Sequence, residues 1–296
     1  MPARPATALR GMCAAQLQLS PACPTTPVQT RRPCLTILVR ILFAILLVGA
    51  AAALAVGWHW RAEKLALLQP AAGPLPPRPA PGTATGGVLL FGDSRVAQWR
   101  PLPKRPYPIT RQGHSGESAI RLVPSFEAAL DRHKPDMAIV QAGVNDAVAA
   151  SLTSAAERAR SLAASKAAFA AMAAAAEARD VKLILLKPIP PIRTDLARRL
   201  IWRGHVDPYL ADLSQALPAI TAARGVSVQD PLPLLGTSAT AVPEAFRKDA
   251  LHLTPAAYAQ LNALLPPTLD PNAKVPPGGS TPGGEGRARA SGPGPG

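Results

Sequence analysis

Four short segments of this chain carry side chains that could do chemistry together: Gly92-Asp93-Ser94, Gly113, Gly143-Val144-Asn145-Asp146 and Asp249-Ala250-Leu251-His252. A serine hydroxyl is a weak nucleophile until a base within hydrogen-bond reach takes its proton. His252 is the candidate base for Ser94. Asp249 lies three residues earlier, close enough for one turn to bring its carboxylate to the imidazole and fix the tautomer. His59 sits beside an apolar run, and His133 and His205 lie in charged surroundings that predict surface positions.

The Ser94 amide, the Gly113 amide and the Asn145 side chain are the candidate donors to an oxyanion. A glycine lets the backbone come close to a substrate, and an Asn amide is a neutral donor. Gly116, three residues on, competes with Gly113 for that place. Asp93, His114 and Asp146 are assigned supporting positions, with His114 and Glu117 near enough to a pocket to touch substrate. Each segment alone has a plainer explanation: a helix cap, a turn, a surface ion pair. All four in one order are the parts of acyl transfer through a serine.

Other chemistries find no footing. There is no G-x-S-x-G elbow, since Glu117 stands where the last glycine after Ser115 would be. The chain has no phosphate-binding glycine loop and no His/Cys cluster at metal spacing, and nothing in it implies a cofactor.

The four segments together resemble the SGNH/GDSL hydrolase superfamily, over about residues 87–265. The resemblance implies a flavodoxin-like three-layer α/β/α sandwich with a mostly parallel sheet. It makes Ser94 the nucleophile and Asp249-x-x-His252 the rest of the triad. Ser94, Gly113 and Asn145 become the oxyanion hole. Arg95 stands where the family's short name has leucine, at a position the family varies.

The pattern of the chain supplies elements to hold these residues. Apolar runs at 87–91, 137–142, 181–186 and 226–228 predict strands. Helical spacing at 118–132, an Ala-rich stretch at 153–179 and the segment 206–223 predict helices between them, with Pro255 opening a last helix capped by Thr254. Strands alternating with helices imply a doubly wound α/β fold, whose sites form outside the carboxyl ends of the strands. Ser94 and the Gly143–Asp146 segment both directly follow predicted strands.

Composition divides the 296 residues into five stretches. Residues 1–34 are a basic leader holding all three cysteines, which form neither a disulfide framework nor a zinc site. Residues 35–58 are an apolar segment. Residues 59–86 are a Pro/Ala-rich linker, expected to extend and hold the domain up to ~50 Å from a bilayer. Residues 87–265 form one domain, and 266–296 a Pro/Gly-rich tail too polar to bury a core. The formal charge of +14 does not indicate nucleic acid: aromatics are 4% of the chain and no basic stripe carries them.

The run from Ile41 to Gly57 is uncharged and long enough to span a bilayer core. Arg31, Arg32 and Arg40 precede it, and Trp58 and Trp60 follow. The basic bias favours a single-pass anchor with the N-terminus in the cytoplasm and the domain outside, in a periplasm or at a cell surface. The alternative is a signal peptide cleaved near Ala53-Leu54-Ala55. The expected activity is a serine esterase acting on short acyl groups of small molecules or cell-envelope glycans. A lysophospholipase or thioesterase, an O-acyltransferase and a catalytically idle binding domain are the alternatives.

Overall fold

A computed structural model of the chain describes residues 33–76, 84–192, 196, 202, 204–221, 226–237 and 242–269. The chain divides into two compact units, Met1–Leu54 and Ala55–Gly296. Helix α1 (Pro33–Ala66) begins in the first. No charged side chain stands between Arg40 and Arg61, and the large apolar side chains of this stretch are exposed. α1 is long and apolar enough to cross a membrane, as an anchor or as a signal segment.

The second unit is built on five parallel strands, β1 (Val88–Gly92), β2 (Ile109–Gly113), β3 (Met137–Gln141), β4 (Lys182–Leu186) and β5 (Ser227–Gln229). Their order is β2-β1-β3-β4-β5, the flavodoxin-like order, which reverses direction of travel at β1 and β3. In that register Gly92 lies level with Gly113 on one side and Gln141 on the other. The ends of these three strands, and whatever follows them, therefore meet.

Alternate side chains of each strand enter two cores, as the period of two requires. Leu89, Phe91, Val140 and Leu185 pack under α3 (Ala119–His133), α5 (Ala155–Glu177) and α6 (Val206–Thr221). Val88, Leu90, Ile139 and Leu186 face Trp99, Tyr258 and Leu261 on the other side, the last two from α7 (Pro255–Leu261). Two shorter helices, α2 (Ser94–Ala97) and α4 (Val144–Ala150), follow β1 and β3 directly. The expected cap of α7 forms, Thr254 accepting from the Ala257 amide, and Ser154 and Glu157 add a reciprocal capping box on α5.

Some expectations change. β2 and α4 are additional elements, and the segment Gly143–Asp146 that follows β3 opens a helix. His133 is not a surface residue but 1% exposed, its Nδ1 3.2 Å from the Ala84 carbonyl oxygen. On α3 it lies three and seven residues beyond Leu130 and Phe126, which puts it on the buried face. The linker is not free along its length either. Residues 59–66 continue α1, Ser118 Oγ donates to the Leu67 carbonyl (2.5 Å), and Ser125 Oγ accepts from the Leu75 amide (2.7 Å). The leader to residue 32 and the tail beyond residue 269 lie outside the described residues.

Candidate active site

β1 delivers Asp93 and Ser94 to the carboxyl edge of the sheet. Asp93 caps α2, its Oδ1 accepting from the Arg95 amide at 2.9 Å, and Ser94 is the first residue of that helix. From the far end of the domain the segment 247–253 reaches the same point. Arg247 bridges Leu253 antiparallel, and the His252 carbonyl accepts from the Lys248 amide (3.0 Å), closing a short loop on itself.

That loop holds Asp249 and His252 in a fixed relation. Asp249 Oδ1 accepts from the Leu251 amide (2.8 Å) and the His252 amide (2.9 Å), so the carboxylate is locked before it meets the ring. His252 Nδ1 then lies 2.7 Å from Asp249 Oδ2, and Nε2 lies 2.9 Å from Ser94 Oγ. A carboxylate accepts only, so Nδ1 carries the proton and Nε2 offers its lone pair to the serine hydroxyl. Burial alone would raise the Asp249 carboxyl. The Leu251 amide and the ring and amide of His252 outweigh it and hold the group at about 2. Asp249 is thus an anion at any working pH, and what it adds to stability is lost only as pH falls from 3.8 through about 2.

The second face of the site comes from α4 and the turn before α3. Asn145, 6% exposed, donates one Nδ2 hydrogen to the Glu117 carbonyl at 2.9 Å, which orients its amide and leaves the second hydrogen to another acceptor. Asp146 beside it is wholly buried. Its Oδ2 accepts from the Ala119 amide (2.8 Å) and its Oδ1 from Ser165 Oγ (2.7 Å), which also meets the Tyr209 hydroxyl at 2.8 Å. Burial raises the Asp146 carboxyl against these bonds. The Asn145-Asp146 pair therefore ties the start of α3 to α4 and α5.

The two competing glycines differ in kind. A Cβ on Gly113 would stand 2.2 Å from the Ala97 nitrogen, so glycine is required there for α2 to cross β2. The His114 amide donates to the Gly92 carbonyl, and by the alternation of a parallel ladder the Gly113 amide points away from β1. Gly116 has φ +83° in the turn just before Glu117, with open space where a Cβ would be. The Gly113 amide thus points off the edge of the sheet, whereas Gly116 stands one residue before Glu117, whose carbonyl holds Asn145.

The side chains of His114 and Glu117 are both engaged within the protein. His114 is 2% exposed, its ring against Phe91 and its Nε2 3.2 Å from Gln112 Nε2, and burial lowers its pKa. The Glu117 carboxylate pairs with Arg121 at 2.7 Å. Gly116 had one legible signal, a glycine two residues before the Ser118 that caps α3.

Asp93 makes a prediction about pH. It is 1% exposed, its Oδ2 has no hydrogen-bond partner among the described residues, and burial pushes it up to about 6 despite the Arg95 charge and amide. Asp146 pushes in the same direction and His252 against it. A folded-state pKa above the unfolded 3.8 means stability is full below that value and declines as pH rises through about 6. Wild type is expected to lose on the order of 3 kcal/mol at this group between about pH 4 and 7. Asp93→Asn keeps an acceptor for the Arg95 amide and should flatten that slope in thermal unfolding. An unchanged slope would mean Asp93 is not the titrating group.

The model of the GDSL-like Lipase/Acylhydrolase family matches residues 83–260. Among solved structures, a GDSL-like lipase from Bacteroides thetaiotaomicron is 22% identical, covering 60% of this chain and 84% of its own, with a TM-score of 0.47. A putative platelet activating factor from Streptococcus pneumonia is 17% identical over 73% of this chain and 96% of its own (TM-score 0.49). The inhibitor-bound aryl esterase of M. smegmatis is 16% identical over 62% and 96% (TM-score 0.41). No curated protein matches at the sequence level. With the family match spanning more than half of its length, this chain belongs to the GDSL-like lipase/acylhydrolase family and is a hydrolase acting on ester bonds.

Proposed function

We propose that the chain is a serine esterase working through an acyl-enzyme on Ser94. One observation carries this reading: the unbroken relay from Ser94 Oγ to His252 Nε2 (2.9 Å) and from His252 Nδ1 to Asp249 (2.7 Å). Ser94 Oγ attacks the ester carbonyl carbon while its proton passes to His252 Nε2. The oxyanion takes hydrogen bonds from the Ser94 amide, the Gly116 amide and the free Nδ2 hydrogen of Asn145. As the tetrahedral intermediate collapses, His252 returns the proton to the leaving alkoxide and the alcohol departs. Water, deprotonated by His252, then attacks the acyl group, releasing a carboxylic acid and restoring Ser94.

Asn145→Ala should lower kcat by roughly 10²–10³-fold with KM little changed, because this donor acts where charge develops. Steady-state kinetics on an activated ester check it. A raised KM with kcat intact would make Asn145 a ground-state binding group.

The substrates we favour are short acyl esters, on small molecules or on cell-envelope or exported glycans. The side chains of His252 and Asp249 are 23% and 51% exposed, which suits an ester carried on a bulky alcohol. A series of p-nitrophenyl esters tests this. Highest kcat/KM at acetyl or propionyl supports it, and a maximum at eight carbons or more points to a lysophospholipase or thioesterase instead. The domain is assigned outside the membrane, from the basic residues before the apolar run. A reporter fused after Gly296 that is active only in the cytoplasm would overturn that orientation.

A further inference from the structure

Arg95 follows the proposed nucleophile, yet its side chain is 1% exposed and turns away from solvent. Its guanidinium meets three backbone carbonyls. Nε donates to Leu251 (2.8 Å), Nη1 to Ile189 (2.5 Å) and Nη2, at a longer 3.4 Å, to Pro190. Burying a guanidinium is costly, and three carbonyl acceptors and the nearby Asp93 charge offset it. A cation placed here at that cost joins three segments distant in sequence: the turn of Ser94, the loop after β4 and the loop of Asp249 and His252.

The Leu251 carbonyl belongs to the same rigid plane as the His252 amide N–H. Arg95 holds the oxygen end of that plane, and Asp249 Oδ1 holds the N–H end at 2.9 Å. The preceding plane is held likewise. The Ala250 carbonyl accepts from the Ile192 amide at 2.6 Å, and the Leu251 N–H donates to Asp249 Oδ1 at 2.8 Å. Two consecutive peptide planes are thus clamped at both ends. Without Arg95 the plane next to His252 keeps only its bond to Asp249, and rotation of that plane moves the ring and carboxylate together relative to Ser94.

We propose that Arg95 is the positioning residue of the acid–base loop, its guanidinium fixing the Leu251–His252 peptide so that the imidazole meets the Ser94 hydroxyl. This inference rests on the Ser94–His252–Asp249 reading above. It assigns Arg95 no contact with substrate.

Arg95→Lys tests it, because lysine keeps the charge but offers one ammonium where three carbonyls need a planar fork. In the full chain in detergent micelles, kcat on p-nitrophenyl acetate should fall by about 10²-fold, the scale of a misplacement near 1 Å, with KM within about threefold. A far-downfield proton resonance from the His252–Asp249 hydrogen bond is expected in wild type and should broaden or vanish in the variant while the unfolding transition stays cooperative. Wild-type kcat in the variant overturns the proposal, and so does a loss of kcat with that resonance unchanged. A variant that no longer unfolds cooperatively makes Arg95 a residue of folding and overturns it as well. Ser94→Ala measured alongside separates the two readings. An active Ser94→Ala protein removes the triad itself, whereas an inactive one beside a fully active Arg95→Lys removes only the role of Arg95.

Discussion

Ser94→Ala is expected to lower kcat on an activated ester by about 10⁴–10⁶-fold, the scale on which a serine nucleophile's loss is felt when its base and oxyanion donors remain. His252 Nε2 has the Ser94 hydroxyl at 2.9 Å, and removing Oγ leaves the base facing nothing it can activate for covalent attack. The substitution should leave the fold intact. Ser94 is 9% exposed, and the bonds that hold its turn do not use its hydroxyl: Gln98 N–H donates to the Ser94 carbonyl, Asp93 N–H to the Gln141 carbonyl and Arg95 N–H to Asp93 Oδ1. Residual turnover should come from the oxyanion donors alone. Loss of less than tenfold, with the unfolding transition unchanged, would refute a serine mechanism.

Asp249→Asn is expected to cost about 10²–10⁴-fold in kcat, by reversing a tautomer and not by disturbing the loop. The Leu251 and His252 amides both donate to Oδ1, so an asparagine at this place keeps its carbonyl oxygen toward them and turns its NH₂ to the ring. His252 Nδ1 must then accept, which moves the proton to Nε2 and sets a donor against the Ser94 hydroxyl. The lower bound reflects exposure: the Asp249 side chain is 51% accessible, and water can take part of the amide's place. Comparing kcat with the melting temperature checks it. Activity within tenfold of wild type would mean that another group orients the imidazole.

What the sequence made legible follows from how each element is buried. β1, β3 and β4 are nearly continuous apolar runs because both faces of a central parallel strand are covered, and such runs stand out. β2 is an edge strand reading ITRQG, paired only with β1, and its polar residues hide it. α4 escapes for the opposite reason. All seven of its residues are buried, so it has no polar face to give a helical period.

The same logic governs the site. Ser94, Asp249 and His252, whose side chains the fold brings together, were visible because residue type and local spacing mark them. Gly116, preferred to Gly113 in the proposed oxyanion hole, follows an edge strand that the sequence concealed. Arg95 carried no signal at all, since its partners are backbone carbonyls 94 to 156 residues away.

The central claim, that Ser94 is the nucleophile, is tested most directly by treating the full-length protein with a fluorophosphonate and locating the adduct by peptide mass spectrometry. One phosphonyl group per chain is expected, on Ser94, appearing in step with loss of esterase activity and absent from His252→Ala. Complete inactivation with the adduct on another residue, or an active esterase that Ser94 labelling leaves untouched, would contradict it.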